Sequence, residues 1–177
     1  MLAVTADTGA FFSIILKAIR ARKILEIGTS SGFSTLWFAD AIMSGTRKVK
    51  PVPSIITIEG MHEKAVWAAD NFKRAGVEKM ITIIEGQARE TLRRIRMSDQ
   101  AFDFVFIDAD KEHVIEYFDL ALPMVRIGGI IAADNMLYPE HFRQDMAKYA
   151  RHVRRKRNVQ SVTVPIGMGE EITIRLA

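Results

Sequence analysis

The amino-acid sequence predicts a doubly wound α/β domain, a largely parallel sheet with helices on both faces, from three observations. Apolar runs of strand length recur along the chain as "KILEI" (Lys23 to Ile27), "SIITIE" (Ser54 to Glu59), "ITIIE" (Ile81 to Glu85), "FDFVFID" (Phe102 to Asp108) and "GIIAAD" (Gly129 to Asp134). These runs are almost continuously apolar instead of alternating with polar residues, so each strand is buried on both faces. Helical patterns of about a dozen residues lie between them, and strands alternating with helices imply βαβ units and parallel pairing.

The elements follow in order. The first helical pattern carries Phe12, Ile15, Leu16 and Ile19 on one stripe, while Phe11 and Ile14 lie off it. Such a helix is apolar over more than one sheet can cover. Either a second subunit, the preferred reading, or the C-terminal hairpin of the same chain covers the remainder. After "KILEI" comes a glycine-containing turn into a second helix, and "SGTRKVKPVPS" (Ser44 to Ser54) reads as a basic surface loop. In "HEKAVWAADNFKRAG" the residues Ala65, Val66, Ala69 and Phe72 fall on one face, and Gly76 stands where a helix ends in a left-handed residue. In "KEHVIEYFDLALPMV" the residues Val114, Tyr117, Phe118 and Ala121 do the same, and Gly128 with Gly129 marks the turn into the next strand. A longer helix continues through Arg157. "VQSVTVPIG" and "EEITIRL" then read as an antiparallel hairpin that closes the sheet.

With 177 residues, 49% hydrophobic and 26% charged, the chain fits a single globular domain over residues 1–177. Cysteine is absent, which excludes disulfides, thiolate metal sites and cysteine nucleophiles and makes a reducing cytoplasm the expected location. The apolar run "AFFSIILKAI" is too short to span a bilayer and follows Asp7, where a signal peptide would be basic, so no membrane partner is expected. Much of the net charge of +4 comes from "RHVRRKRN", Arg151 to Asn158. On a helix this run reads first as a solvated face, with an anion or RNA contact as the other reading.

In open α/β sheets ligands bind at the carboxyl ends of the strands, near the switch in strand order. The first strand delivers "EIGTSSGFS", Glu26 to Ser34, with Gly28 and Gly32 around a turn into a helix. Glycines let the backbone approach a ligand closely, although a purely structural βα turn would carry them too. The second strand ends in Glu59, whose carboxylate suits the two hydroxyls of a ribose. The third leads to "EGQAR", where Gln87 and Ala88 can frame an adenine. The spacing is not GxGxxG, and no helix start is arranged for a pyrophosphate, so an NAD enzyme is disfavoured. The next two strands end in Asp108 and in Asp134 with Asn135. Neighbouring parallel strands bring such ends together, and two carboxylates with one amide oxygen suit Mg²⁺. Lys111 stands one helical turn beyond Asp108. The alternative is that Asp108 and Asp134 only cap the turns or helices that follow them.

These stretches resemble the metal-dependent, S-adenosylmethionine-dependent O-methyltransferases of the catechol and caffeoyl-CoA type. The resemblance runs through "LEIGTSSGFSTL", "IITIEGMHEKAVWAADNFKRAGV", "FDFVFIDADKEH" and "GGIIAADNMLY", in register from about Ala10 to Tyr138. It implies a Rossmann-like methyltransferase sheet of order 3-2-1-4-5-7-6 with the last strand antiparallel. It also implies that Glu26, Gly28, Gly32 and Ser34 hold the amino-acid part of S-adenosylmethionine, Glu59 its ribose, and Gln87 with Ala88 its adenine. Asp108, Asp134 and Asn135 match metal ligands, Asp108 and Asp110 fall on the cofactor side, and Lys111 matches a general base. His113 reads as helix surface or pocket rim. The implied reaction is methyl transfer to a hydroxyl of a small, catechol-like acceptor, with Mg²⁺ and in a homodimer.

Three departures qualify the resemblance. Relatives of this type begin with extra helices, and here Met1 lies almost directly before the first core helix. "MLYPEHFRQ" lacks the usual glycine-containing loop, though Leu137 and Tyr138 offer an apolar platform for a ring. Met168 stands where an acid is common. Competing expectations are an RNA or protein methyltransferase, drawn by the basic helix around Arg154, and a non-catalytic cofactor-binding regulator. "DADK" in place of the Asn/Asp-Pro-Pro-aromatic pattern of amino-group methylation disfavours the first, and retention of the metal set disfavours the second.

Overall fold

The structure is a computed structural model that describes residues 4–43 and 52–177. The basic loop expected from Ser44 falls mostly outside them. In chain order the elements are α1 (Ala6–Ala18), β1 (Lys23–Ile27), α2 (Phe33–Met43), β2 (Ser54–Glu59), α3 (His62–Arg74), β3 (Ile81–Glu85), α4 (Ala88–Arg96), β4 (Phe102–Ile107), α5 (Val114–Ala121), β5 (Val125–Ala133), α6 (Arg143–Arg154), β6 (Val159–Val164) and β7 (Glu170–Arg175). The strands form one sheet in the order β3-β2-β1-β4-β5-β7-β6. Strands β1 to β5 pair in parallel, and β7 runs antiparallel to both β5 and β6, as expected.

Alternation along each strand divides the core into two layers. Ile24, Ile55, Phe104, Phe106, Ile130 and Ala132 face α1 and α2, where Phe12 sits among Phe38, Phe104 and Phe106 at centroid distances of 5.3–6.2 Å. Leu25, Ile27, Val105, Ile107 and Ile131 face α4, α5 and α6. Burying one such aromatic side chain contributes about 2–3 kcal/mol before entropy is counted. The opposite, N-terminal edge of the sheet is fastened by Asp103, whose Oδ2 accepts from the backbone of Arg22 (2.8 Å) and Lys23 (2.9 Å) while Oδ1 accepts from Arg126 Nε (2.5 Å). Those hydrogen bonds outweigh burial and hold the Asp103 carboxyl below its usual range.

Several expectations change. On α3 the buried residues are Ala65, Ala68 and Phe72, whereas Val66 is 54% exposed and Ala69 is also exposed. The helix touches mainly β2 and β3 near the edge of the sheet, so a narrow stripe suffices to bury it. Gly76 has the expected left-handed backbone, φ +70°. Gly128 and Gly129 do not turn into a strand but lie inside β5, which starts at Val125. There the pairing with β4 slips between Phe102 and Phe104, and a Cβ on Gly129 would lie 2.6 Å from Val125 Cγ1. Helix α6 stops at Arg154 instead of Arg157. On α1, Phe12 and Leu16 are buried and Ile15 and Ile19 half-buried. The hairpin covers one end, with Gly167 packed on Thr5 and Thr8, and Ile14 stays 69% exposed.

Candidate active site

Backbone hydrogen bonds just past the strand ends align the predicted residues in one row. Gly86 N donates to Glu59 O (2.9 Å), Gly28 N to Ile58 O (3.0 Å), Asp108 N to Ile27 O (2.9 Å) and Asp134 N to Ile107 O (3.1 Å). Strand order reverses at β1, between β2 and β4, so this row lies at the switch point where α/β sheets open a crevice.

The β1 turn is held by acids from beneath. Glu26 is fully buried, and its carboxyl accepts from Ser34 Oγ (2.5 Å), Thr35 Oγ1 (2.5 Å) and Thr57 Oγ1 (2.6 Å). Burial outweighs these three hydroxyls and pushes Glu26 up to about 7. Glu26 and Ser34 thus bind each other, and the carboxyl faces α2 inside the protein. Glu59 accepts from Ser30 N (2.8 Å) and Met61 N (3.0 Å), one bond on each oxygen, which leaves each oxygen a lone pair. Asn71, which the sequence did not single out, donates to Ser31 O (2.9 Å).

Both glycines of the turn have internal packing reasons. Gly28 has φ +102°, and a Cβ there would lie 2.1 Å from the Asp108 carbonyl oxygen; Gly32 has φ +81°, and its Cβ would lie 2.3 Å from Phe72 Cε1. The first lets the exits of β1 and β4 touch, and the second lets α3 close over the turn. Gln87 is exposed at the start of α4, and Ala88 packs on the core cluster.

The β4 and β5 ends bring charges together. Lys111 Nζ donates to Asp108 Oδ1 at 2.9 Å, with the lysine side chain 4% exposed. Asp134 is buried, its Oδ1 accepts from Asn135 N (2.5 Å), and Asn135 itself is left-handed at φ +68°. Burial first, and the negative charge of Asp108 second, push Asp134 up to about 6, while Lys111 pulls the other way. Asn135 Nδ2 donates to Met168 Sδ at 3.2 Å, and no protein donor meets its Oδ1 among the described residues.

Glu170 belongs to no motif in the sequence. It opens β7, and because that strand is antiparallel its first residue reaches the edge where the parallel strands end. It is fully buried, and burial and then Asp134 push its carboxyl up to about 11. As a carboxylate neither oxygen would have a donor; protonated, Glu170 bonds to Asp134. The available signal was "EE" at the start of an otherwise apolar strand.

Among the described residues no three His, Cys, Asp or Glu side chains form a metal cage by themselves. Two mutually repelling acids and an amide oxygen without a donor nevertheless fit a hard dication that takes its remaining oxygens from water and ligand. Asp110 lies apart from these acids. It bonds Tyr117 Oη, His113 Nδ1 (2.5 Å) and His113 N (3.1 Å), and these bonds hold it below its usual range against burial. His113 is therefore half-buried and tied to a site candidate. A cleft of about 280 Å³ between α5 and α6 reaches Lys111 past Val114, Ile115 and the Asp145–Lys148 pair.

A doubly wound sheet with a glycine turn and a ribose-spaced acid at its switch point defines the class of α/β folds that bind nucleosides there. Within that class, the chain belongs to the O-methyltransferase family, whose profile matches residues 1–175. It is 38% identical over 136 residues to a catechol O-methyltransferase of Mycobacterium tuberculosis, covering 77% of this chain and 58% of that protein. It is 35% identical over 139 residues to a caffeoyl-CoA O-methyltransferase of Populus kitakamiensis, covering 77% and 56%. The match therefore spans little more than half the length of these relatives. An O-methyltransferase of Bacillus cereus, crystallised with SAH, superposes with a TM-score of 0.86 at 28% identity over 98% of this chain and 82% of that one. One of Streptomyces achromogenes involved in tomaymycin synthesis, crystallised with SAM, gives 0.87 at 28% over 99% and 82%.

Proposed function

We propose that the chain transfers a methyl group from S-adenosylmethionine to a hydroxyl of a small catechol-like or otherwise hydroxylated aromatic acceptor, with Mg²⁺. The observation that carries this reading is the meeting of Asp108, Lys111 and Asp134 beside the β1 turn. When bound, the cofactor supplies an activated methyl and the cation supplies Lewis acidity that makes a hydroxyl easier to deprotonate. Glu59 holds the ribose, with Gln87 and Ala88 at the adenine and the Gly28–Gly32 turn and Asp110 on the amino-acid side. Glu26 and Ser34 fasten the turn. Asp108, Asp134 and Asn135 provide the oxygens for the cation. Lys111 Nζ, as the neutral amine, would accept the proton of the attacking hydroxyl while the O–CH3 bond forms, the S–CH3 bond breaks and S-adenosylhomocysteine leaves, and the protein mainly fixes two reactants in line. The exposed Ile14 face of α1 is the contact of a homodimer.

RNA or protein methylation has less support, because Arg154 and Lys156 of the basic run are already held in ion pairs. Arg154 pairs with Glu171, and His152 and Lys156 pair with Asp119.

The test is Mn²⁺ binding by electron paramagnetic resonance with S-adenosylhomocysteine present, followed by methylation of vicinal diols. Binding that is lost in Asp134→Ala is the expected result. Equal binding in both proteins removes Asp134 from the set, and no binding in either removes the cation from the reading.

A further inference from the structure

Glu26, Asp108 and Asp110 lie within three residues of the ends of β1 and β4. Glu26 is buried beneath its three hydroxyls, and Asp108 meets Lys111. Asp110 is exposed and has no lysine or arginine partner among the described residues. It follows directly on the contact between the β1 turn and the β4 exit, since a Cβ on Gly28 would lie 2.1 Å from Asp108 O and 3.3 Å from Ala109 N.

An aspartate just before a helix often does no more than cap it, and the bond from His113 N to Asp110 Oδ1 (3.1 Å) suffices for that. Two side chains grip the same carboxylate in addition. His113 Nδ1 lies 2.5 Å from Oδ1, and Tyr117 Oη donates to Oδ2. An ionised carboxylate has no proton to give, so Nδ1 is the protonated ring nitrogen and donates. Oδ1 then has both lone pairs filled by two donors of one residue, while Oδ2 keeps one lone pair open. Tyr117 is buried in the core, and its ring centroid lies 6.2 Å from that of His113, so the grip has a rigid backing.

We infer that His113 is a positioning residue for the cofactor. By filling Oδ1 it fixes the plane of the Asp110 carboxylate and leaves a single acceptor, on Oδ2, for the ammonium group at the amino-acid end of S-adenosylmethionine. Hydrogen bonds between two ionised groups are among the strong ones, and an acceptor locked by its neighbours has little freedom left to lose when the ligand arrives. The inference rests on the placing of Asp110 at the amino-acid end and adds how that acid is held.

The experiment is calorimetric titration of the full chain with S-adenosylhomocysteine, which carries the ammonium, and with 5′-methylthioadenosine, which lacks the amino-acid end. His113→Ala should weaken S-adenosylhomocysteine about fivefold and leave 5′-methylthioadenosine unchanged. His113→Asn, whose side-chain N–H can stand in for Nδ1–H, should restore most of the affinity. In an Asp110→Asn background His113→Ala should cost nothing more, because its effect runs through Asp110. Unchanged S-adenosylhomocysteine binding in His113→Ala, or an equal loss for both ligands, overturns the inference. If Asp110→Asn weakens S-adenosylhomocysteine and His113→Ala does not, the placing of Asp110 stands and the role of His113 alone falls. If Asp110→Asn changes nothing, that placing fails and the inference falls with it.

Discussion

Replacing Glu26 by glutamine keeps the shape of a buried side chain while removing its ionisation. The carboxyl moves from 4.5, its ordinary value, to about 7 in the folded protein because burial disfavours the anion more than Ser34, Thr35 and Thr57 favour it. A raised folded value means that the stability the group contributes is complete below the unfolded value and is lost as pH rises through the folded one. The window runs from 4.5 to about 7. The shift corresponds to a loss on the order of 3 kcal/mol across it. Asp134 and Glu170 are raised too, but they are the same in both proteins, so the difference between wild type and Glu26→Gln isolates Glu26. The constant cost of rearranging three hydroxyls around an amide also cancels from the slope. Urea unfolding at several pH values between about 5 and 8 reads the effect. With a typical m-value of about 2 kcal/mol/M, the wild-type midpoint should fall by about 1.5 M relative to the variant. Parallel midpoints across that range would refute the balance of burial over hydrogen bonding.

Further outcomes follow from the same geometry. Gly28→Ala combines a left-handed backbone with a Cβ 2.1 Å from the Asp108 carbonyl. It should cost about 2–4 kcal/mol and lower the Tm by roughly 5–15 °C, and a melt within about 2 °C of wild type would contradict that contact. Lys111→Met should lower kcat about 100-fold or more while S-adenosylhomocysteine still binds, and a kcat within about threefold of wild type removes the lysine from proton transfer. Ile14→Asp should shift sedimentation from dimer toward monomer without loss of helicity, whereas a wild-type monomer at micromolar concentration would end the dimer proposal.

Strand ends were the most legible part of the chain, because an apolar run that stops at an acid marks both the end of a buried strand and the edge where ligands bind. Strand order, the antiparallel hairpin and the convergence of the Asp108 and Asp134 ends followed from that pattern and the resemblance together. Helix faces were less legible. Val66 and Ala69 satisfied the helical period as well as Ala68 did, and only the position of α3 near the sheet edge decides which of them is covered. The bulge in β5 was hidden because two consecutive glycines signal a turn more often than an irregular strand. Glu170 was hidden for a different reason. Its partner Asp134 is distant in sequence, and a carboxyl whose ionisation is opposed by burial and a neighbouring acid looks the same in a sequence as an ordinary surface glutamate.

The insertion of β7 between β5 and β6 makes the last strand of the chain the one that joins the hairpin to the rest of the sheet. Until β7 arrives, β5 presents an open edge, and β6 has no neighbour in the sheet with which to pair. The same strand brings Glu170 to Asp134, so the acid cluster is completed by the step that seals the sheet. A chain halted before "EEITIR" during synthesis would lack both the seal and the last acid. Such a product would present the open edge of β5 to other chains.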